Sequence, residues 1–225
     1  MRKFSQLHQV HISAIELYND EFFSLSNKKK LVPREFAGFL DFKECGISEI
    51  INVENMDEKF RKYLSNRTHN DTKINNKSSR SHAIFRLDFN DIIVGVVDLA
   101  GSERTNRVFA DIDETMNINK SLLCLGRCIK ALNENKDPSV PIPYRESKLT
   151  RVLIEYFTAK VQVLMIANIS QAQEHFHENM KVLDYAIMAK DIRHCSTINS
   201  IMKSKSKKKI YKVDVFEALS KSTKR

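Results

Sequence analysis

Asn75-Asn-Lys-Ser-Ser-Arg-Ser-His82 and Val97-Asp-Leu-Ala-Gly-Ser-Glu103 are the two stretches on which the reading of this chain turns. The first runs into an alternating segment, Ala83, Phe85, Leu87 and Phe89, which predicts a strand over 81–90. The second closes Ile92-Ile-Val-Gly-Val-Val-Asp98, an apolar run ending in an acid, which predicts a strand over 92–98 buried on both faces. Each polar loop therefore lies against a strand. An absence matters as much. The sequence holds no Gly-x-x-x-x-Gly-Lys-[Ser/Thr] phosphate loop, and its five glycines (38, 46, 95, 101, 126) are too scattered to build one.

Working outward, residues 10–18 alternate and are rich in β-formers, predicting a further strand that ends in the turn chemistry of Tyr18-Asn-Asp. An apolar run over 161–169 predicts another. Helices are expected over 56–66, 115–132 and 146–157, and a last one opens after Ser170-x-x-Gln173, which reads as a capping box. Ile118, Leu122, Leu125, Ile129 and Leu132 form a core-facing stripe at helical spacing, and Phe176, Met180, Leu183 and Ile187 form the face of the last helix. Past Cys195 the pattern dissolves into Ser/Lys-rich sequence with a weak helical stretch near 213–219. Strands alternating with helices give an α/β class.

A chain of 225 residues with 42% hydrophobic content is long enough for one domain with a sizeable core. No run of about 18 apolar residues is present, so no transmembrane helix is expected. The start, Met1-Arg-Lys-Phe-Ser-Gln-Leu-His8, lacks the apolar core of a secretory signal. Cysteines 45, 124, 128 and 195 show no Cys-x-x-Cys pairing and are expected to be reduced. Cys124 and Cys128 have a spacing at which a helix face can hold a metal. No His or acidic group recurs at ligand spacing nearby, so core packing is the expectation. The net charge of +9 is uneven: residues 203–225 hold nine Lys/Arg against two acids, leaving +2 for residues 1–202. Such a tail attracts polyanions, and Lys203-Ser-Lys-Ser-Lys-Lys-Lys209 reads as a nuclear-localisation or nucleic-acid-binding run. Few aromatics interleave it, which argues against base stacking.

The two opening stretches, complete at every defining position and in this order, resemble the γ-phosphate-sensing switch loops of the kinesin motor head. Glu114-x-x-x-Ile-Asn-Lys-Ser-Leu122 resembles the start of that family's switch II helix, and Ile142-Pro-Tyr-Arg-Glu-Ser-Lys-Leu-Thr-Arg151 its next loop and helix. Glu16-Leu-Tyr-Asn-Asp-Glu21 resembles an early turn, and residues 179–192 the last helix of the head. The resemblance spans about residues 8–193, and the texture of 124–135 and 156–168 leans toward the kinesin-6, mitotic kinesin-like group. It implies a partial kinesin-type P-loop NTPase head, α/β, with a mixed central sheet flanked by helices and without its N-terminal strands. Residues 1–195 would be the C-terminal portion of the motor domain, and 196–225 a basic, flexible tail.

Roles follow from the resemblance residue by residue. Asn75 orients the attacking water, Ser78 serves the phosphate side, and Arg80 and Glu103 form the ion pair that latches the loops. Ser79 and Asp98 serve Mg²⁺, a hard cation that wants oxygen ligands, and Gly101 brings its N–H to the γ-phosphate with no Cβ in the way. ATP and Mg²⁺ are the implied cofactors of a microtubule-stimulated ATPase. Without a phosphate loop, nucleotide binding and turnover are not expected of this chain alone. Arg145, Lys148 and Arg151 are the implied contacts to tubulin. The implied setting is the cytoplasmic cytoskeleton, microtubules or spindle, with the nucleus as a further site. The loop at 104–113 is short and lacks the family's usual glycine, which bears on a tubulin-facing surface. In the family sheet a strand leading into the phosphate loop lies between those matching 92–98 and 161–169, so its absence predicts a gap with apolar edges. The alternative is a non-catalytic microtubule-binding module with a nuclear-localisation or nucleic-acid-binding tail.

Overall fold

The computed structural model describes residues 9–36, 39–42, 45–68, 80–89, 92–101, 112–134, 141–157 and 163–190. Three long strands form the centre: β1 (Gln9–Tyr18), β7 (His82–Phe89) and β8 (Ile92–Asp98). All pair antiparallel, β1 with β7 and β7 with β8. The other side of β1 is shared by two short strands. β6 (Glu49–Asn52) pairs with its first half and β2 (Glu21–Ser24) with its second. β3 (Lys30–Leu31) extends the sheet beyond β2, while β4 (Arg34–Phe36) and β5 (Phe39–Asp41) make a separate hairpin. The strands expected over 10–18, 81–90 and 92–98 thus appear within a residue or so of their predicted ends.

Alternation along these strands decides which face each side chain joins. Val10, Ile12, Ala83, Phe85 and Leu87 point to one face and are covered by α1 (Met56–Thr68), whose Tyr63 is fully buried among them. Ile15, Leu17 and Ile84 point to the other face, against α2 (Ile112–Glu134) and α3 (Lys148–Leu153). The predicted stripe of α2 faces this core: Leu122, Leu125, Ile129 and Leu132 are buried, and Cys124 and Cys128 pack beside them. Burial drives the Cys128 thiol up to about 12, so it stays protonated at neutral pH. Two glycines allow close approach. A Cβ at Gly95 would run into the Tyr156 ring, and one at Gly126 would come within 2.9 Å of the Tyr185 hydroxyl. That hydroxyl donates to Leu122 O, joining α4 (Phe176–Lys190) to α2.

Four expectations differ. The helix expected over 146–157 is broken into a 3₁₀ turn (Tyr144–Glu146), α3, and a second 3₁₀ turn (Ile154–Phe157). Ser147 explains the restart: its side chain caps α3 by accepting from Thr150 N–H at 3.1 Å. The capping box at Ser170 does not form. Asn179 reaches back instead, donating from Nδ2 to Ser170 O at 2.7 Å, and α4 opens only at Phe176. The largest difference concerns 161–169. Its described residues, 163–169, belong to no strand, and Val163, Leu164, Ile166 and Ile169 are exposed.

The neighbouring edge of the sheet is open as well: β8, its last strand, has no partner on its outer side among the described residues. Val96, midway along β8, is 47% exposed, so the expectation that β8 is buried on both faces is also corrected. α4 leaves its own apolar face open as well: Phe176, Met180, Leu183 and Ile187 are all exposed, while Tyr185 and Met188 pack toward the core. Such an edge invites association. The chain is therefore expected to bind a hydrophobic dye and to self-associate with rising concentration. The pair of substitutions Val96→Lys and Ile166→Lys should reduce both while changing stability by less than about 1 kcal/mol. Dye binding that ignores both substitutions would contradict this reading.

Candidate functional site

The antiparallel register brings the two motif-bearing strand ends together. Ala83, at the start of β7, pairs with Asp98 at the end of β8, and on its other side with Glu16 of β1. Glu16 and Ser81 are buried, whereas Asp98 opens to solvent. Arg67, in the last turn of α1 and only 4% exposed, reaches into this row. Its Nη1 donates to Asp98 Oδ2, and its Nη2 donates to Ser81 O at 2.7 Å. Ser81 Oγ in turn donates to Glu16 Oε1 at 2.7 Å. A guanidinium suits this position because its fixed fork of donors satisfies a carboxylate and a carbonyl at once.

A second chain of hydrogen bonds starts one residue further on. Ala100 N–H donates to His82 Nδ1 at 3.0 Å. The other ring nitrogen, Nε2, must then carry the proton, and it lies 2.9 Å from Ser121 Oγ. Ser121 Oγ donates to Ile118 O at 2.7 Å, within α2. His82 thereby ties the backbone after Asp98 to the long helix. Burial, reinforced by Arg67 and opposed by Asp98, lowers its pKa to about 4.

Of the residues singled out by sequence, Arg80, Asp98, Gly101, Arg145, Lys148 and Arg151 are described, while Asn75, Ser78, Ser79 and Glu103 lie outside the described residues. The proposed Arg80–Glu103 latch and the Ser79 contribution to a metal site therefore have no geometry here. Arg80 itself is buried next to Ser81. Arg67, Glu16, Ser81 and His82 were given no role by sequence reasoning. Ser81 and His82 lie inside the first motif and could have been flagged from it. Arg67 carried no signal, because one cation at a helix end usually serves the helix dipole.

The basic residues of 145–151 lie on the opposite face of the sheet from α1. Lys148 Nζ is 3.5 Å from Asp20 Oδ2 and also donates to Asp20 O. Arg151 Nη2 is 2.7 Å from Glu35 Oε2. Arg145 is exposed, its guanidinium 5.6 Å from the centre of the Tyr144 ring.

The neutral His82 makes a signed prediction. Its folded pKa of about 4 lies below the ordinary 6.5, so the unfolded chain binds the proton more readily. Stability from this group is complete above about pH 6.5 and is lost as pH falls toward 4, by about 2–3 kcal/mol. His82→Asn should remove that part of the pH dependence in denaturant titrations. Parallel curves for the two proteins from pH 7 to 4 would contradict the assignment.

Comparison with known proteins bears on the same residues. The family pattern of the kinesin motor domain matches residues 2–192. The mouse kinesin-like protein KIF11 is 35% identical over 231 residues, covering 92% of this chain and 22% of the relative. The chromosome-associated kinesin KIF4 of Xenopus laevis is 33% identical, covering 88% and 18%. A solved KIF14 dimer, in its two-heads-bound state with AMP-PNP on a microtubule, superposes with a TM-score of 0.66 at 29% identity. That likeness covers 88% of this chain and 62% of the KIF14 chain. The chain spans about a fifth of the length of the two full relatives. Kinesins with different names stand at nearly equal identity, so the likeness fixes the family and no single subgroup. By the match of most of its length, the chain belongs to the kinesin motor domain family.

Proposed function

We propose that this chain is the switch-bearing and filament-facing portion of a kinesin head, which binds microtubules and does not by itself turn over ATP. The observation that supports the reading is the row Glu16, Ala83, Asp98. It sets the start of β7, which follows the first motif in sequence, beside the end of β8, which leads into the second. Loops placed in this way respond to the same ligand. The basic residues Arg145, Lys148 and Arg151 lie on and just before α3, which packs against α2, the helix that His82 and Ser121 connect to the loop after Asp98.

The described residues fit a sensor for Mg²⁺-ATP rather than a complete site for it. Asp98 offers one solvent-facing carboxylate, and one of its oxygens is already met by Arg67. Mg²⁺ asks for near-octahedral oxygen coordination and usually takes one or two carboxylates, waters and the phosphates themselves. Asp98 would accept from a water on the ion, Ser79 would add a hydroxyl, and the Gly101 N–H would meet the γ-phosphate. Asn75 would orient the attacking water, Ser78 would serve the phosphate side, and Arg80 and Glu103 would latch the loops around that water; these roles, like those of Ser79 and Gly101, are carried by family resemblance alone. The bound nucleotide would supply the cleavable phosphoanhydride, and these residues would only orient and sense it. The sequence holds no Gly-x-x-x-x-Gly-Lys-[Ser/Thr] motif to supply a phosphate cradle of backbone N–H groups and a lysine.

A second reading, a microtubule-binding module without catalysis, is favoured by the Arg67–Asp98 pair, which answers the carboxylate's charge without a metal. Its basic tail would add general affinity for polyanions, and its location would be the microtubule cytoskeleton. Microtubule pelleting across a salt series, with ATP turnover followed in parallel, tests both. Binding should weaken as salt rises, because charges are screened beyond about 8 Å at physiological salt. Replacing Arg145, Lys148 and Arg151 by Ala should weaken pelleting more than deleting 203–225. Robust microtubule-stimulated hydrolysis by this chain would contradict the assignment, and loss of binding on tail deletion alone would transfer recognition to the tail.

A further inference from the structure

The basic side chains proposed for the filament are not bare. Lys148 is held by Asp20 through both the carboxylate and the backbone carbonyl, and its ammonium lies 6.0 Å from the centre of the Phe22 ring. Arg151 Nη2 makes a charge contact with Glu35 of the β4–β5 hairpin, while its Nε and Nη2 are buried without an aligned hydrogen bond. In both pairs the cation is the inner partner. Arg151 is 18% exposed against 60% for Glu35, and Lys148 is 39% exposed against 58% for Asp20. An acidic surface approaching α3 therefore meets carboxylates before it meets the charges that attract it. Arg145 differs, being exposed and placed against a ring rather than an acid.

The turn carrying Asp20 is also fixed in place. Asn19 and Asp20 both have left-handed backbones, with φ of 47° and 58°, the conformation of a tight hairpin turn. Asn117 of α2 donates from Nδ2 to Asn19 Oδ1 at 2.7 Å, so the turn is pinned to α2 on one side and to Lys148 on the other. A carboxylate on such a turn has little freedom to swing away when another anion arrives.

We propose that Asp20 and Glu35 are internal competitors of the filament. They occupy Lys148 and Arg151 in the free chain and so set an upper limit on its affinity for an acidic polymer surface. The inference rests on the microtubule reading above. Binding exchanges each internal ion pair for one across the interface, so the net gain per cation is small. Arg145 then contributes most of the charge-dependent affinity. Exposed pairs of this kind are individually weak, and releasing one should tighten binding by about two- to five-fold at low salt. The gain should shrink at physiological salt.

The test uses the full chain in microtubule pelleting at low and physiological salt, with Asp20→Asn, Glu35→Gln and the double variant. Asn adopts the left-handed backbone readily, so the first substitution keeps the turn, and the second keeps the size of the strand residue. Glu58→Gln on α1, exposed and on the other side of the sheet, removes the same charge elsewhere and serves as the control. The expected result is about two- to five-fold tighter binding for each of the first two and less than about 1.5-fold for the control. Equal tightening by Glu58→Gln would reduce the effect to bulk charge and overturn the proposal. Unchanged or weaker binding by Asp20→Asn and Glu35→Gln would overturn it as well, because the acids would then be holding the cations in a binding pose. Failure of the wider reading looks different: the wild-type chain would not pellet, or Arg145→Ala would leave pelleting unaltered. Either of those results removes the proposal together with its basis.

Discussion

Arg67 is the side chain through which the ends of α1, β7 and β8 are held together, because a nearly buried guanidinium must find partners for its donors or cost several kcal/mol. It finds them in Asp98 and the Ser81 carbonyl, and Ser81 hands the network on to the buried Glu16. The consequence is positional. Ser81 belongs to the first motif and Asp98 to the second, so one cation ties a residue of each of the two motifs that define the family. The neighbouring contacts of His82 extend the same order into α2, through the Ala100 amide on one side and the Ser121 hydroxyl on the other.

At the opposite extreme lies the side of the sheet with no such closure. Among the described residues β8 ends the sheet, 163–169 belong to no strand, and the apolar stripe of α4 is exposed. These three segments are rich in Val, Leu and Ile, and each reads in sequence as something to be covered. The physical contrast within the chain is clear: the core on both faces of β1 and β7 is complete, and the periphery beyond β8 is not.

Much of this was legible in the sequence, for stated reasons. Alternation in 10–18 and 81–90 and the run 92–98 gave the central strands, because the period-2 pattern survives any change of neighbours. The stripe of α2 was legible in the same way. The strand over 161–169 was not, since an apolar run says that a segment is suited to burial but not which edge it pairs with. The break at Ser147 was visible only as a Ser before Lys-Leu-Thr, a weak signal inside a helical pattern. Motif residues pointed to the right end of the sheet, but Arg67 was missed because its role depends on three-dimensional proximity to Ser81 and Asp98, 14 and 31 residues away. The basic trio was legible as charge, while its acidic partners Asp20 and Glu35 come from distant turns and hairpins.

The most direct measurement is a double-mutant cycle on Arg67 and Asp98, using Arg67→Met, Asp98→Asn and the pair, with stability read from denaturant unfolding. Arg67→Met is expected to cost about 1–3 kcal/mol, chiefly through the Ser81 carbonyl left without its donor. A coupling of about 0.5–1 kcal/mol with Asp98 is also expected, modest because that carboxylate is open to solvent. Additive effects, within about 0.3 kcal/mol, would contradict it, since Asp98 would then be free of Arg67 and the two motif strands would be held in place by something else.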